Sequence, residues 1–155
     1  MTSHAASASQ SLVVRVQSRV CAVPLIHVLE TMRPLPVEPI DGVPSFVRGV
    51  SIIRGVLTPV VDLGAILGMP GGGTERFVTL RLGDRQVALA VGAVLGVCEL
   101  EVSKNQELPP LLRGASQDIV ETLGTLDEEV LTVLRAGWEL PEEVWQTLAA
   151  QEVVS

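Results

Sequence analysis

The sequence predicts an all-β protein with about ten strands arranged in two sheets. Its 155 residues are 47% apolar but only 3% aromatic, so the core is built from aliphatic side chains, mostly valine and leucine. Branched aliphatic side chains suit the pleated surface of a sheet. Short alternating apolar runs separated by turn residues recur along the chain, as is typical of antiparallel strands. A chain of this length forms one domain, or two small intertwined ones.

An internal repeat supports the prediction of two sheets. A shift of 66 residues aligns Arg19 with Arg85, Ala22 with Ala88, Val23 with Leu89, Leu25 with Val91, Val28 with Val94, and Leu29 with Leu95. Each copy reads as a hairpin followed by the start of another strand, so we expect one β-unit in each half. Two closed or nearly closed sheets would leave few exposed strand edges.

The N-terminal region is predicted to form a tail that is followed by a hairpin. Residues 1–11 are polar and rich in serine and alanine, and we expect them to be disordered. Residues 12–16 and 20–25 are apolar runs on either side of Gln17-Ser18-Arg19. Alternation on both sides of a short polar turn favours a hairpin.

A stiff loop is predicted to separate this hairpin from the next one. Pro24 begins a short turn or helix through His27, and residues 28–32 are extended again. Residues 33–44 contain four prolines and one glycine, which favours an irregular loop. A brief helical turn is expected at 44–47.

The segment around Arg54-Gly55 is the most informative part of the chain. Residues 49–53 and 56–61 are apolar runs, so the pattern is typical of a strand, a tight turn and a second strand. Pro59 lacks an N–H, and we therefore expect the second strand at a sheet edge or bulged at that point. Asp62 is a good N-cap for a short helix.

The second half repeats the strand pattern after a glycine-rich link at 68–73. That link lacks the Gly-Lys-Ser/Thr ending of a phosphate-binding loop, so we expect a flexible connection. Gly83-Asp84 joins residues 77–82 to residues 85–91, and glycine in the first position fits a type II′ hairpin. Further elements are expected as strands at 94–100, 119–126 and 130–134, a loop at 103–117, and a helix opened by Pro141.

The charge distribution argues against several classes of partner. The net charge is −7, but residues 12–100 are near neutral, whereas residues 101–155 carry three basic and eleven acidic residues. Nucleic acids and anionic membrane surfaces both need a basic face. No apolar run reaches the ~20 residues of a membrane span, and the N-terminus lacks the parts of a signal peptide. We therefore expect a soluble cytoplasmic protein that neither binds nucleic acid nor inserts directly into a membrane.

The sequence offers little catalytic equipment, so we expect no catalytic residue, metal or cofactor. His4 and His27 have no neighbours at metal-ligand spacing, and a metal site needs three or four convergent ligands. Cys21 and Cys98 have no Cys-x-x-Cys partner, and we expect buried free thiols, with a disulfide or a reactive thiol as the alternatives. The acids after residue 101 read as a solvated turn and a helix start, and they do not single out a pair for acid–base catalysis.

Arg54 is the polar residue that we single out, and two interpretations of it are open. In the first, the side chain satisfies local carbonyl groups or pairs with Asp62. In the second, it anchors a protein interface, where guanidinium groups are enriched. Composition alone favours the first interpretation.

The stretch 44–63 reads Pro-Ser-Phe-Val-Arg-Gly-Val-Ser-Ile-Ile-Arg-Gly-Val-Leu-Thr-Pro-Val-Val-Asp-Leu. This order of residues resembles the signature of the CheW-like chemotaxis coupling domain. The family has, in this order, a proline, a short apolar turn, a basic-Gly-Val strand, a Leu-Arg-Gly turn and a Pro-x-x-Asp-Leu strand end. The resemblance extends to Val28-Leu29-Glu30, to 87–97 and to 119–134.

The resemblance implies a particular version of the all-β fold. It consists of two intertwined five-stranded SH3-like β-barrels with short connecting helices and a C-terminal helix. The expected organisation is a tail at 1–11, a single domain at 12–140, and a helix and tail at 141–155. Within the domain, one unit comprises about 12–70 with closing strands from the C-terminal half, and the other comprises 74–134.

The resemblance also implies a non-enzymatic adaptor without cofactors. Such proteins join the cytoplasmic tips of chemoreceptors to the regulatory domain of a CheA-type histidine kinase, at membrane-associated receptor clusters. By matching position, the residues that meet receptor or kinase are Val28, Glu30, Gly49, Arg54, Val94 and Val97.

Two departures from the family pattern leave alternatives open. The asparagine that often precedes Leu-Arg-Gly is absent from Ile52-Ile53-Arg54-Gly55, and a Val-Asp-x-Val pattern becomes Val91-Gly92-Ala93-Val94. A second interpretation is therefore a divergent accessory that binds receptor without recruiting kinase. A third is a small β-barrel ligand-binding module or enzyme that uses the acidic C-terminal half.

Overall fold

The computed structural model describes residues 8–69, 71–101, 120–126, 129–134 and 140–154. In these residues the strands are β1 (Ala8–Val16), β2 (Arg19–Pro24), β3 (Val28–Met32), β4 (Val47–Ile53), β5 (Val56–Asp62), β6 (Arg76–Leu82), β7 (Arg85–Val91), β8 (Ala93–Glu101), β9 (Val120–Leu126) and β10 (Glu129–Leu134). The helices are α1 (Leu63–Ile66) and α2 (Glu142–Val154), and a 3-10 turn spans Leu25–His27. The expected all-β architecture is confirmed.

The strands form two five-stranded sheets that exchange elements between the two halves of the chain. The first sheet has the order β8-β1-β2-β10-β9, and the second has the order β3-β6-β7-β5-β4. Each sheet therefore combines a hairpin from one half with three strands from the other. Strands β8–β10 from the C-terminal half complete the sheet of the first hairpin, in line with the closing strands expected for the unit at 12–70. Strands β3–β5, which that unit also included, lie with the second hairpin instead.

The 66-residue repeat is reproduced in the strand register. Val14 lies opposite Val94 in the first sheet, and the corresponding residues Leu80 and Val28 lie opposite each other in the second. Both ladders contain a register shift at the corresponding place. The extra residues at these two bulges are Leu29 and Leu95, and both side chains are exposed. A bulge leaves one residue unpaired and redirects it, so the same device turns one leucine outward in each half.

The core is aliphatic and joins the two sheets. Val87, Leu89 and Val91 of β7 belong to a buried cluster that also contains Val14 and Val23 of the first sheet. The alternate residues of β7, Ala88 and Ala90, are buried on the opposite face with Ile53, Val60 and Phe77. A strand buried on both faces reads as a continuous apolar run. Burial of each valine or leucine contributes roughly 1.5–3 kcal/mol.

The second sheet curls until its two ends approach each other. β3 and β4 are the outermost strands of this sheet. The chain that follows β3 pairs with β4, because the Glu38 N–H donates to the Val50 carbonyl at 2.8 Å and the Val50 N–H donates to the Glu38 carbonyl at 2.9 Å. The Ser51 hydroxyl donates to the Pro36 carbonyl at 2.6 Å nearby. Residues 36–38 therefore cover the free edge of β4.

The expectation that Pro59 marks an edge or a bulge is wrong. β5 lies between β4 and β7, and Pro59 faces Val50 in regular register. Val50 directs its N–H and its C=O toward Glu38 instead. In antiparallel ladders such a pair exchanges no hydrogen bonds. The missing N–H of Pro59 therefore costs the β4–β5 ladder nothing.

Two local expectations also differ from the structure. The strand β1 begins at Ala8, because residues 8–11 pair with 98–101 of β8, so the prediction of disorder is wrong for these four residues. At 44–47 there is a single turn, closed by the Val47 N–H donating to the Pro44 carbonyl at 3.0 Å, and β4 starts at once. The expected loop at 103–117 and residues 1–7 lie outside the described residues.

The helices begin where the sequence predicts. The Asp62 carboxylate accepts the Ala65 N–H at 3.2 Å, which is the expected N-cap of α1. α2 follows Pro141 and buries Val144 and Leu148 in the shared core. None of the helices in the described part of the chain is long and apolar enough to cross a membrane.

Candidate functional site

The β4–β5 turn presents Arg54 at the surface. Arg54 and Gly55 have φ values of 53° and 77°, the pattern of a type I′ turn that matches the twist of a hairpin. Glycine adopts positive φ without penalty, whereas arginine does so rarely. A non-glycine residue held in this region invites a functional explanation.

Arg54 forms a two-pronged ion pair with Glu30, another of the predicted interface residues. Arg54 Nε lies 3.0 Å from Glu30 Oε2, and Nη2 lies 2.7 Å from Oε1. The side chains are 72% and 32% exposed, so solvent screens the pair. The hydrogen bond from Arg54 lowers the pKa of Glu30, and the same bond raises the pKa of Arg54. The pair therefore joins β3 to the β4–β5 turn, at the seam where the second sheet curls on itself.

The interpretation that Arg54 pairs with Asp62 is wrong, because Arg48 takes that place. Arg48 Nη2 lies 3.1 Å from Asp62 Oδ2 and 3.0 Å from the Gly72 carbonyl. Arg48 also donates to the Thr74 hydroxyl. Arg48 thus fastens the glycine-rich link to β5, and the Asp62 side chain is only 12% exposed.

Gly49 is buried, and its position has a steric explanation. Its φ is 149°, and a Cβ there would lie 2.1 Å from the Glu38 carbonyl oxygen. The close approach of residues 38–39 to β4 therefore requires glycine. The predicted interface role of Gly49 stays a prediction, and the geometry gives this residue a structural task.

The three predicted valines lie on β3 and β8, one edge strand of each sheet. Val28 and Val94, which the repeat relates, are half-buried and pack against the core shared by the sheets. Val97 is 52% exposed farther along β8. We call Val28, Val94 and Val97 the aliphatic patch. Its interface role stays a prediction.

A cleft opens beside Val94. It has a volume of about 680 Å³, and its lining residues are Arg33, Pro34, Glu75, Arg76, Gly92, Ala93 and Val94. β6 belongs to the second sheet and β8 to the first, so the cleft lies where the sheets meet.

A second groove was missed by reasoning from the sequence. It has a volume of about 320 Å³ beside β4, and its lining residues are Leu35, Pro36, Glu38, Val50, Ser51, Ile52 and Leu57. Ile52 is 70% exposed while Ile53 is buried. Successive side chains of a strand point to opposite faces, so one of two consecutive isoleucines has to face outward. The Ile52-Ile53 pair could therefore have indicated an exposed apolar surface on this strand.

The two cysteines and the possible metal ligands do not form a cluster in the described residues. Cys21 is buried and Cys98 is half-buried, and both are free thiols, as expected from their spacing. Burial raises the pKa of Cys21 to about 12, so its thiol stays protonated. Across residues 8–69, 71–101 and the later described segments, no three potential metal ligands come together.

Known proteins resemble this chain in sequence and in structure. "Chemotaxis protein CheW" of Klebsiella aerogenes is 26% identical over 98 residues, which cover 61% of this chain and 59% of the relative. The chain thus matches about three fifths of that relative's length. The crystal structure of the scaffolding protein TtCheW from Thermoanaerobacter tengcongensis matches with a TM-score of 0.68 and 20% identity, covering 82% of this chain and 88% of that one.

This structural match confirms the predicted SH3-like β fold, because the TM-score of 0.68 comes from an alignment that covers 82% of this chain. A family model described as "CheW-like domain" matches residues 10–137. This range includes every predicted interface residue and contains strands of both sheets. The chain belongs to the CheW-like domain family.

Proposed function

We propose that this protein is a non-enzymatic adaptor that couples chemoreceptors to a CheA-type histidine kinase. Membership of the CheW-like family is the observation that carries the proposal. The curated relative is a chemotaxis protein, and the structural neighbour is a scaffolding protein. We place its action in the cytoplasm, at receptor clusters that it reaches through its partners.

The aliphatic patch is our candidate surface for the receptor tip. An amphipathic helix binds a groove through a few apolar anchors on one face. Val28 and Val94 are half-buried on the shared core, so a partner helix placed there would extend an existing apolar surface. Arg54 and Glu30 add a charged pair on the second sheet, where guanidinium groups are common anchors.

A paired binding assay tests this proposal. The probes are a purified chemoreceptor cytoplasmic tip and a kinase regulatory domain, each titrated against the full chain by calorimetry. We expect dissociation constants of about 1–10 μM or tighter for both. If the chain binds neither probe, the adaptor function is contradicted.

Val97→Asp locates the surface. A charge in the aliphatic patch would have to be desolvated, so we expect receptor binding to weaken at least about tenfold. Val97→Leu keeps the apolar contact and serves as the matched control, with binding within about threefold. Because Val97 is 52% exposed, both variants should melt close to the parent protein. Equal binding by the two variants would move the receptor surface elsewhere.

A receptor-only accessory is the second candidate function. It is favoured by the glycine at position 92, where the family pattern has an acid. The Gly92 N–H donates to the Arg15 carbonyl at 2.9 Å, and a Cβ at this position would lie 3.0 Å from the same oxygen. A larger residue at 92 would therefore need the Arg15 carbonyl to shift by a few tenths of an ångström. Binding of the receptor tip without binding of the kinase domain would select this function over the first.

A further inference from the structure

We propose that the cleft beside Val94 binds a carboxylate-bearing segment of the partner helix, held between Arg33 and Arg76. This inference rests on the proposed adaptor function and adds the chemistry of the segment that is recognised. Arg33 and Arg76 both line the cleft, together with the apolar residues Pro34, Ala93 and Val94. The lining therefore combines two cations with three apolar residues.

The two arginines lie at the same end of neighbouring strands. Met32 of β3 lies opposite Phe77 of β6 in an antiparallel ladder. Arg33 follows Met32 where β3 ends, and Arg76 precedes Phe77 at the start of β6. Two cations that line one cleft repel each other, so the cleft calls for a counter-ion.

The rest of the described structure does not supply that counter-ion. In the part of the chain whose side chains are described, neither Arg33 nor Arg76 takes part in an ion pair. Glu75 lines the same cleft but pairs with neither arginine. Two arginines against one glutamate leave the cleft cationic in a protein whose net charge is −7.

Gly92 leaves one position of the cleft lining without a side chain. A Cβ there would meet the Arg15 carbonyl oxygen at 3.0 Å. That distance is tighter than ordinary contacts, so a larger residue would need the Arg15 carbonyl to shift by a few tenths of an ångström. The position where the family pattern has an acid is thus held as glycine, and no carboxylate at 92 neutralises the arginines.

The repeat shows that the fold itself does not require basic residues here. A shift of 66 residues relates Arg33 to Glu99 and Arg76 to Gln10, and these two lie opposite each other in the first sheet. The same place in the scaffold is therefore basic in one half and acidic in the other. The basic pair is a property of this cleft, and an acidic partner complements it.

Binding of a chemoreceptor tip at two ionic strengths tests the inference. The variant R33Q/R76Q is compared with R19Q/R81Q, which removes the same two charges from residues outside the cleft lining. We expect R33Q/R76Q to bind about fivefold more weakly at about 50 mM NaCl, and less than about twofold more weakly at about 500 mM, because salt screens exposed charges. R19Q/R81Q should bind within about twofold of the parent protein at both concentrations.

A scan of the probe identifies the complementary group. Each acidic residue of the tip is changed in turn to glutamine, and a double-mutant cycle is measured with R33Q/R76Q. One or two tip carboxylates should lose their effect when the arginines are absent. R33Q/R76Q should melt close to the parent protein, because neither arginine takes part in an ion pair in the described part of the chain.

The outcomes separate the two proposals. If the parent protein fails to bind the tip at either salt concentration, the adaptor function and this inference both fall. If the parent protein binds and R33Q/R76Q binds equally well, or if R19Q/R81Q weakens binding as much, the cleft proposal alone is overturned. It is also overturned if R33Q/R76Q changes only the sedimentation of the free protein, because the occupant would then be a second copy of this chain.

Discussion

The two Arg-Gly pairs, Arg48-Gly49 and Arg54-Gly55, lie six residues apart on the same hairpin and are used in opposite ways. Arg48 faces inward to Asp62, the Gly72 carbonyl and Thr74. Arg54 is 72% exposed, and within the described part of the chain its guanidinium group donates to the carboxylate of Glu30 alone. The first pair fastens the scaffold, and the second presents a charged group on it.

The glycines of the two pairs, Gly49 and Gly55, also have different roles. A Cβ at Gly49 would collide with the Glu38 carbonyl, whereas a Cβ at Gly55 would meet nothing within 4 Å. Gly49 is needed for a close approach, and Gly55 is needed only for its positive φ of 77°. An identical dipeptide therefore does not imply an identical role, because the strand's position in the sheet decides which partners it meets.

Gly49→Ala should produce the largest effect. The methyl group would lie 2.1 Å from the Glu38 oxygen, so the bridge that covers β4 must open. We expect a loss of about 3–5 kcal/mol in the free energy of unfolding, measured by urea denaturation. Gly55→Ala is the matched control and should lose about 1–2 kcal/mol, the usual cost of a left-handed residue. Equal losses would show that backbone conformation alone selects both glycines.

Arg48→Ala should have the next largest effect. It leaves the nearly buried Asp62 carboxylate without its cation and frees the link at Gly72. Removing one partner of a buried pair costs roughly 3–5 kcal/mol, and partial exposure of Arg48 reduces this to about 2 kcal/mol. Arg48→Lys keeps the charge but not the three-way contact, and it should lose about half as much. A loss no larger than that of Arg54→Ala would contradict the division of roles.

The strands and turns of this contrast could be predicted from the sequence, but the partners could not. Alternation and the Arg54-Gly55 dipeptide predicted the β4–β5 hairpin to within two residues of its observed start. The ion pairs Arg48–Asp62 and Arg54–Glu30 join residues 14 and 24 positions apart. Which acid meets which arginine depends on how the second sheet curls, and local patterns carry no information about that. The expectation that Pro59 marks an edge or a bulge was wrong for the same reason. Val50, which lies opposite Pro59, forms its hydrogen bonds with Glu38, and Glu38 belongs to a loop whose position local patterns do not reveal.

Arg54→Ala should separate stability from binding. The Arg54–Glu30 pair is exposed, so we expect a melting temperature close to that of the parent protein. If Arg54 anchors a partner, the same variant should lose at least about tenfold in affinity for a receptor tip or a kinase domain. The double variant Arg54→Glu with Glu30→Arg restores an internal pair with reversed charges. Recovery of binding in the double variant would mean that the pair positions the turn, and continued loss would mean that Arg54 contacts the partner.

The smallest expected effect concerns the pH dependence of the exposed pair. The hydrogen bond from Arg54 lowers the pKa of Glu30 in the folded state. A depressed carboxyl pKa contributes stability that is present above the unfolded-state pKa of glutamate and is lost as the pH falls through the folded-state value. An NMR titration of the Glu30 carboxyl should therefore show a pKa below the usual range, which returns to that range in Arg54→Ala. The Arg85–Glu142 pair, whose pKa shift has the same direction and cause, is the internal control. In Arg54→Ala the pKa of Glu142 should stay where it is, because a change in both carboxyls would point to a general loss of structure rather than to the loss of one ion pair.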